Sequence, residues 1–152
     1  MDLSGALTAG NLTIARQMLG AGGSGGLRGY EVDELLGRAR VIARVEYRHI
    51  FVHDLDINIL HSLYIRGIGG GVFAEAGMVT ACNSYAVDKS SFGADVGYTL
   101  RIFADWFGVS QTTLNIDIAV PLYRQQRDCF GPLPGPQTRQ PIGFFFAFGP
   151  PW

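Results

Sequence analysis

From Arg38 to the C-terminus, apolar and polar residues alternate with period two in run after run. Successive side chains of an extended strand point to opposite faces, whereas a helix repeats every 3.6 residues. Such runs therefore demand strands. In the first, Ala39, Val41, Ala43, Val45 and Tyr47 alternate with Arg38, Arg40, Ile42, Arg44, Glu46 and Arg48. One face is apolar and the other strongly charged. A second strand is expected over about 67–80, with Val72, Ala74, Ala76 and Met78 on one face and Phe73, Glu75 and Gly77 on the other. Its Gly69-Gly70-Gly71 implies a bend or a close approach by another segment.

Three further runs follow. Over about 92–104, Ala94, Val96, Tyr98, Leu100 and Ile102 oppose Asp95, Gly97, Thr99 and Arg101. Over about 111–123, Leu114, Ile116, Ile118, Val120 and Leu122 oppose Thr113, Asn115, Asp117 and Ala119. Over 142–148, Ile142, Phe144, Phe146 and Phe148 oppose Gly143, Phe145 and Ala147. Residues 52–56 and 106–108 read as turns, 83–91 and 124–140 as longer loops. Residues 57–66 fit a strand or one or two helical turns. The fold class is all-β: an antiparallel meander of five strands, or six with one from the first 37 residues, with no βαβ signal. Composition agrees, because only 16% of residues are charged while glycines number 21 and aromatics reach 12%. Few charges with many glycines and aromatics favour strands and tight turns over a helical bundle.

The formal net charge of -1 gives no electrostatic argument for a nucleic-acid partner. No apolar run is long enough for a transmembrane helix, and Met1-Asp2-Leu3-Ser4 lacks the basic region and apolar core of a signal peptide. A β-barrel crosses lipid on alternating strands that hydropathy windows miss. A soluble barrel has the same period with its apolar face turned inward. Two features favour the membrane: the arginines on one strand face suit a water-filled lumen, and Tyr47, Tyr123, Phe148 and Trp152 at strand ends suit interfacial girdles. No nucleophile elbow, zinc-protease motif or P-loop occurs, so neither catalysis nor a cofactor is expected. Cys82, Cys129 and the three histidines lack zinc spacing, so no metal site is expected either.

Two short motifs add a specific contact. Leu27-Arg28-Gly29-Tyr30 closes a run rich in glycine from Gly22 to Gly26, and Phe73-Ala74-Glu75-Ala76-Gly77 lies in the second strand. The first offers a lone arginine on a loop, the second a lone carboxylate on a strand. With them, the chain resembles the C-terminal barrel region of the BamA/TamA-like outer-membrane assembly and secretion proteins, the bacterial surface antigen family. That family has a glycine-rich lead into [Val/Leu]-Arg-Gly-[Phe/Tyr]. It then has a Leu-Glu-[Tyr/Phe]-Arg-like strand end, answered by Val45-Glu46-Tyr47-Arg48, and Phe-x-Asp-x-Gly, with Glu75 here in place of aspartate. Gly97-Tyr98-Thr99-Leu100-Arg101, the Asp117, Ala119 and Pro121-Leu122 of the fourth strand, and Phe148-Gly149-Pro150-Pro151-Trp152 continue the resemblance in family order.

The resemblance implies that residues 1–37 hold a partial strand and a glycine-rich loop folded into a lumen, and that 38–152 are the last strands of a larger transmembrane β-barrel. Such barrels have about sixteen strands, so this chain reads as a fragment that needs its missing N-terminal strands or partner strands. The implied location is the bacterial outer membrane, in contact with its lipid, and the implied clients are outer-membrane or secreted polypeptides. Arg28 would pin the loop to Glu75, with Gly29, Tyr30, Phe73 and Gly77 around the contact; the plainer reading is a solvated loop arginine. Phe144, Phe146, Phe148 and Trp152 resemble the C-terminal signal for barrel insertion, or are simply lipid-facing. Arg38, Arg40, Arg44, Arg48, Asp95, Arg101 and Asp117 would line the lumen as solvated or paired charges. Cys82 and Cys129 would fall in successive loops on the extracellular side, as unrelated thiols or as one disulfide. The family reading is a protein-insertion or protein-translocation factor; its rivals are a passive surface antigen or channel, and a soluble ligand-binding β-barrel.

Overall fold

The computed structural model describes residues 2–7, 19–23, 25–32, 34–59, 61–81, 86–87, 91–106, 110–123 and 141–149. Its strands are β1 (Asp2–Leu7), β2 (Leu19–Gly20), β3 (Leu36–Gly37), β4 (Ala39–Val52), β5 (Ile57–Ile59), β6 (Leu63–Val79), β7 (Phe92–Trp106), β8 (Ser110–Tyr123) and β9 (Gly143–Gly149). The main sheet runs β1-β4-β6-β7-β8-β9, with β5 added to β6, and every pairing in it is antiparallel. This is the expected all-β meander. Its sixth strand is β1, which pairs Asp2–Leu7 with Ala39–Arg44. Among the described residues no ladder joins β1 to β9, so the sheet is open at both edges.

Strand limits differ from the sequence reading mainly at the turn end. β4 continues past Arg48 to Val52, and β6 begins at Leu63. The ambiguous stretch 57–66 is β-structure: β5 pairs with the start of β6 across a tight turn in which His61 has φ 57°. Trp106 closes β7 rather than starting a turn. A bulge between Ile65 and Gly67 re-phases β6 against β7. Arg38 lies in the bend between β3 and β4, just outside the strand expected to carry it.

The two faces of the sheet have opposite characters. Val41, Val45, Tyr47, Val72, Val96, Tyr98, Ile118, Val120, Phe144, Phe146 and Phe148 stand out into the surroundings, Phe146 at 70% exposure. The other face carries Arg44, Glu46, Glu75, Asp95, Thr99, Arg101 and Asp117, and is covered by the segment 21–35 held between β2 and β3.

That segment is wired to itself before it meets the sheet. Ala21 N–H donates to Leu35 O (2.9 Å), Leu27 N–H to Ala21 O (2.7 Å), and Gly23 N–H to Leu27 O (3.1 Å) and Tyr30 O (3.0 Å). Gly23 sits at φ 86°, a backbone region that a side chain would strain. Ala21, Leu27, Tyr30 and Leu35 then pack with Ile42 of β4 and Val79 of β6 in one buried cluster. The glycine run therefore makes a compact, sheet-bound loop rather than a free tether.

The three consecutive glycines of β6 have a different use. A side chain at Gly70 would meet the Tyr98 hydroxyl and the Phe51 ring, and one at Gly69 would meet Phe103 at 3.4 Å. At Gly69 and Gly71 the closest approach is the β4 backbone, at 3.0 Å to His49 O and 2.5 Å to Tyr47 O, so rings crowd mainly Gly70.

Candidate functional site

Register assembles the site. Arg44, Glu75 and Asp95 are direct partners across β4, β6 and β7. Two residues along each strand, Glu46, Phe73, Gly97, Ala119 and Gly143 form the next row. The third row is Arg48, Gly71, Thr99, Asp117 and Phe145. Period two puts all three rows on the loop-covered face. The middle row is mostly small, leaving a trough between two charged rows, and Arg28 lies in it.

Arg28 is bound by backbone and side chain together. Its main-chain N–H donates to Glu75 Oε2 at 2.9 Å, and its Nε to Glu75 Oε1 at 2.9 Å. Its Nη2 stands 2.9 Å from the same Oε1 as an ion pair. Nη1 donates to Asp117 Oδ2 at 2.9 Å and to Thr99 Oγ1 at 3.3 Å, while the Thr99 hydroxyl donates to Asp117 Oδ1 at 2.6 Å. Only a guanidinium supplies donors in so many fixed directions. The guanidinium carbon lies 3.4 Å from the centroid of the Phe73 ring, a cation–π contact. Burial pulls the Arg28 pKa down, but the bonds to Asp117 and Glu75 outweigh it, and the net direction is upward.

The ring of Phe73 needs Gly97. A Cβ there would overlap Phe73 Cζ and the carbonyl of Ile118. The stack is thus bare β7 backbone, then the Phe73 ring, then the guanidinium. Gly29 is equally constrained. Its N–H donates to Asp95 Oδ2 at 2.7 Å, and a Cβ on it would come within 2.7 Å of Asp95 Cβ. Two carboxylates on adjacent strands thus take consecutive loop N–H groups. Glu75 is 2% exposed and Asp95 0%, so both carboxylates meet the loop out of contact with bulk solvent.

Tyr30 continues the line toward the loop end. Its hydroxyl accepts the Ala94 N–H at 2.9 Å and donates to the carbonyl of Tyr123. Its ring and Leu27 press on Gly93, where a Cβ would fall 3.0 Å from Tyr30 Cζ and 2.7 Å from Leu27 Cδ1. Gly77 shares the face of Glu75, but the room it leaves is taken by Leu27, 3.2 Å from where a Cβ would sit. Arg28 itself lies two rows away.

The remaining charges form a paired network. Arg44 Nε also meets Glu75 Oε1, and its Nη2 donates to Gly26 O at 2.9 Å. Arg40 donates to Gly20 O. Arg48 Nε and Arg101 Nη2 both donate to Glu46 Oε1, at 2.9 and 2.5 Å, and Glu46 Oε2 is 3.9 Å from Arg28 Nη2. Glu46 and Thr99 were not among the candidate residues of the sequence reading. Their parity with Arg44 and with Asp95 was the available signal, since it places them on the charged face.

Phe144, Phe146 and Phe148 lie together on the open apolar face of β9. Trp152, Cys82 and Cys129 fall outside the described residues. Among the described residues no group of histidine, cysteine or carboxylate side chains could hold a metal ion. Comparison with protein-family models, curated proteins and solved structures finds no match for this chain.

Proposed function

We propose that this chain is the C-terminal barrel segment of an outer-membrane protein-insertion or protein-translocation factor of the BamA/TamA-like kind. The supporting observation is inverted polarity. The buried face of the sheet is charged and the exposed face is apolar. A soluble ligand-binding barrel turns its apolar face inward, whereas a membrane barrel turns it to lipid. A contiguous exposed apolar face of this extent otherwise marks a site of interaction.

Strand dimensions agree. β4, β6, β7 and β8 have 14, 17, 15 and 14 residues, more than the roughly 9–11 that a tilted membrane strand needs. The connection 107–109 at one end is short, 53–62 at the same end holds β5, and 80–91 and 124–142 at the other end are longer. The loop that carries Arg28 enters from the long-connection end, as the resemblance implies. Open edges at β1 and β9 cannot stand unpaired in lipid, so further strands complete the barrel.

The function is architectural: the loop braces the lumenal wall, and no bond is made or broken. The test uses the full-length protein in liposomes with a reference barrel polypeptide as client. Protease-protected, folded client should accumulate with the wild type and fall sharply with Arg28→Ala. A protein that integrates but leaves client folding at the protein-free rate is instead a passive antigen or channel. One that stays monodisperse in water without detergent is a soluble barrel.

A further inference from the structure

Three consecutive loop residues meet one seam of the sheet, between β7 and β8, at three places along it. Arg28 Nη1 bonds Thr99 on β7 and Asp117 on β8, which are direct partners. Gly29 N–H donates to Asp95 on β7, and a Cβ on Gly29 would stand 3.0 Å from the nitrogen of Pro121, the β8 partner of Asp95. The Tyr30 hydroxyl accepts the Ala94 N–H on β7 at 2.9 Å and donates to the carbonyl of Tyr123, the β8 partner of Ala94.

The ladder is interrupted where Tyr30 sits. Between Ala94 and Asp95 the register shifts: Leu122 is passed over, and Tyr123 and Pro121 face adjacent residues of β7. A bulge of this kind disrupts pairing and bends its strand. Pro121 has no N–H to give to a neighbouring strand. On the other side of β8 the β9 ladder stops at the Ala119–Gly143 pair, so among the described residues no strand covers 120–123 there. The side chains of Val120, Leu122 and Tyr123 are exposed and add little packing within the chain.

We propose that Tyr30 is the clasp of this seam. The end of β8, residues 120–123, stays closed on β7 while the loop is docked and opens when the Tyr30 hydroxyl is withdrawn. The inference stands on register and loop contacts, and holds whether the apolar face of the sheet meets lipid or water. Tyr30 differs from Arg28 in what it controls. Arg28 fastens the loop to the sheet, at partners within continuous ladders. Tyr30 fastens two strands to each other through the loop, because one hydroxyl is acceptor for β7 and donor for β8. A ring without the hydroxyl keeps its packing against Gly93 and loses the bridge. Opening exposes the backbone groups of 120–123 as a strand edge, and an unpaired edge is a template for another extended segment. The loop thus decides whether that edge is available.

The test uses the full-length protein in detergent micelles, with amide exchange resolved by residue. In the wild type, Ala94 and residues 122–123 should be protected. Tyr30→Phe should speed their exchange tenfold or more, while residues 27–29 and 96–100 keep wild-type protection. Arg28→Ala, which loosens the whole loop, should speed exchange both at 27–30 and at Ala94 and 122–123. Wild-type protection of Ala94 and 122–123 in Tyr30→Phe overturns the clasp. Uniform loss of protection along β7 and β8 also overturns it, since Tyr30 would then be a general packing residue. If Tyr30→Phe does not fold, the same amides are followed in the wild type against rising denaturant. Exchange at Ala94 and 122–123 that opens together with residues 27–30 supports the clasp, and exchange that opens only with 96–100 overturns it.

Discussion

The main chain and the side chain of Arg28 both end on one carboxylate, that of Glu75. The N–H reaches Oε2 and Nε reaches Oε1, each at 2.9 Å. Loop backbone and arginine side chain thus share one acceptor group on β6. The contact spans 47 residues of sequence and joins the loop to β6.

Removing Arg28 leaves buried Glu75 with Arg44, and removing Glu75 leaves Arg28 with Asp117; breaking a buried pair typically costs about 3–5 kcal/mol, and these remaining partners hold the loss to the lower end of that range. Arg28→Ala and Glu75→Ala should each lower unfolding stability by about that much, read by denaturant titration in detergent. Arg28→Lys should recover only part, because an ammonium cannot reach Glu75 and Asp117 with a fixed fork. Glu75→Asp should lose less than Glu75→Ala. Equal stability of Arg28→Lys and wild type would show that charge alone holds the loop.

Asp95 acts through the Gly29 N–H. Asp95→Ala strands that buried donor and should cost about 1–3 kcal/mol. Asp95→Asn keeps an acceptor oxygen and should cost less. Amide exchange at Gly29 separates the outcomes: fast in the alanine variant, slow in the asparagine variant. Slow exchange in both would mean that Asp95 does not hold the loop.

Gly97→Ala pushes a methyl into Phe73 and into the Ile118 carbonyl. Overpacking of this kind costs about 1–3 kcal/mol. Phe73→Ala removes the cation–π partner of Arg28, but it also relieves part of the Gly97→Ala clash. A double-mutant cycle should therefore show the pair less destabilised than the sum of the singles. Strict additivity would contradict the stack of backbone, ring and guanidinium.

Phe146 and Ala147 are neighbours on β9 and face opposite ways. In a membrane barrel, lysine on the lipid face costs about 2–4 kcal/mol near the midplane, while lumenal substitutions are tolerated. Phe146→Lys should impair folding into liposomes and Ala147→Lys should not, read by the heat-dependent mobility of the folded protein. Equal behaviour would remove the main support for a lipid-facing surface. A defect of Phe146→Lys in assembly in cells that is absent in liposomes would point to a recognition role for the last strand.

Salt separates the buried network from the surface. Raising NaCl to 1 M shortens the Debye length to about 3 Å, which weakens exposed pairs and leaves buried ones nearly unchanged. Amide exchange in the Arg28 loop should be insensitive to salt. The Arg66–Asp105 pair, in which Arg66 is half exposed, should add no measurable stability at high salt.

The alternation of β4, β6, β7, β8 and β9 was legible in the chain because strand period is a local property. Parity alone placed Glu75, Asp95, Arg101 and Asp117 on the polar faces of their strands, and the family resemblance implied the contact of Arg28 with Glu75. What parity could not supply was register. Only the pairing of Glu75 with Asp95, and of Thr99 with Asp117, shows that the loop is held by three carboxylates and a hydroxyl rather than by one acid. The sixth strand, Asp2–Leu7, lay in a stretch of weak periodicity and is defined by its ladder to β4.

By itself, then, the chain determined which residues share a face, since that follows from the geometry of a single strand. Tertiary structure decided which of them meet. It turned a flexible-looking glycine run into a loop wired to itself, used Gly97 to seat the Phe73 ring beneath Arg28, and brought the Tyr30 hydroxyl to the seam of β7 and β8. Those outcomes depend on how strands slide past one another, and a shift of one residue would turn every side chain to the other face. That choice is made by contacts between residues far apart in sequence, here 47 to 93 positions, which no local pattern encodes.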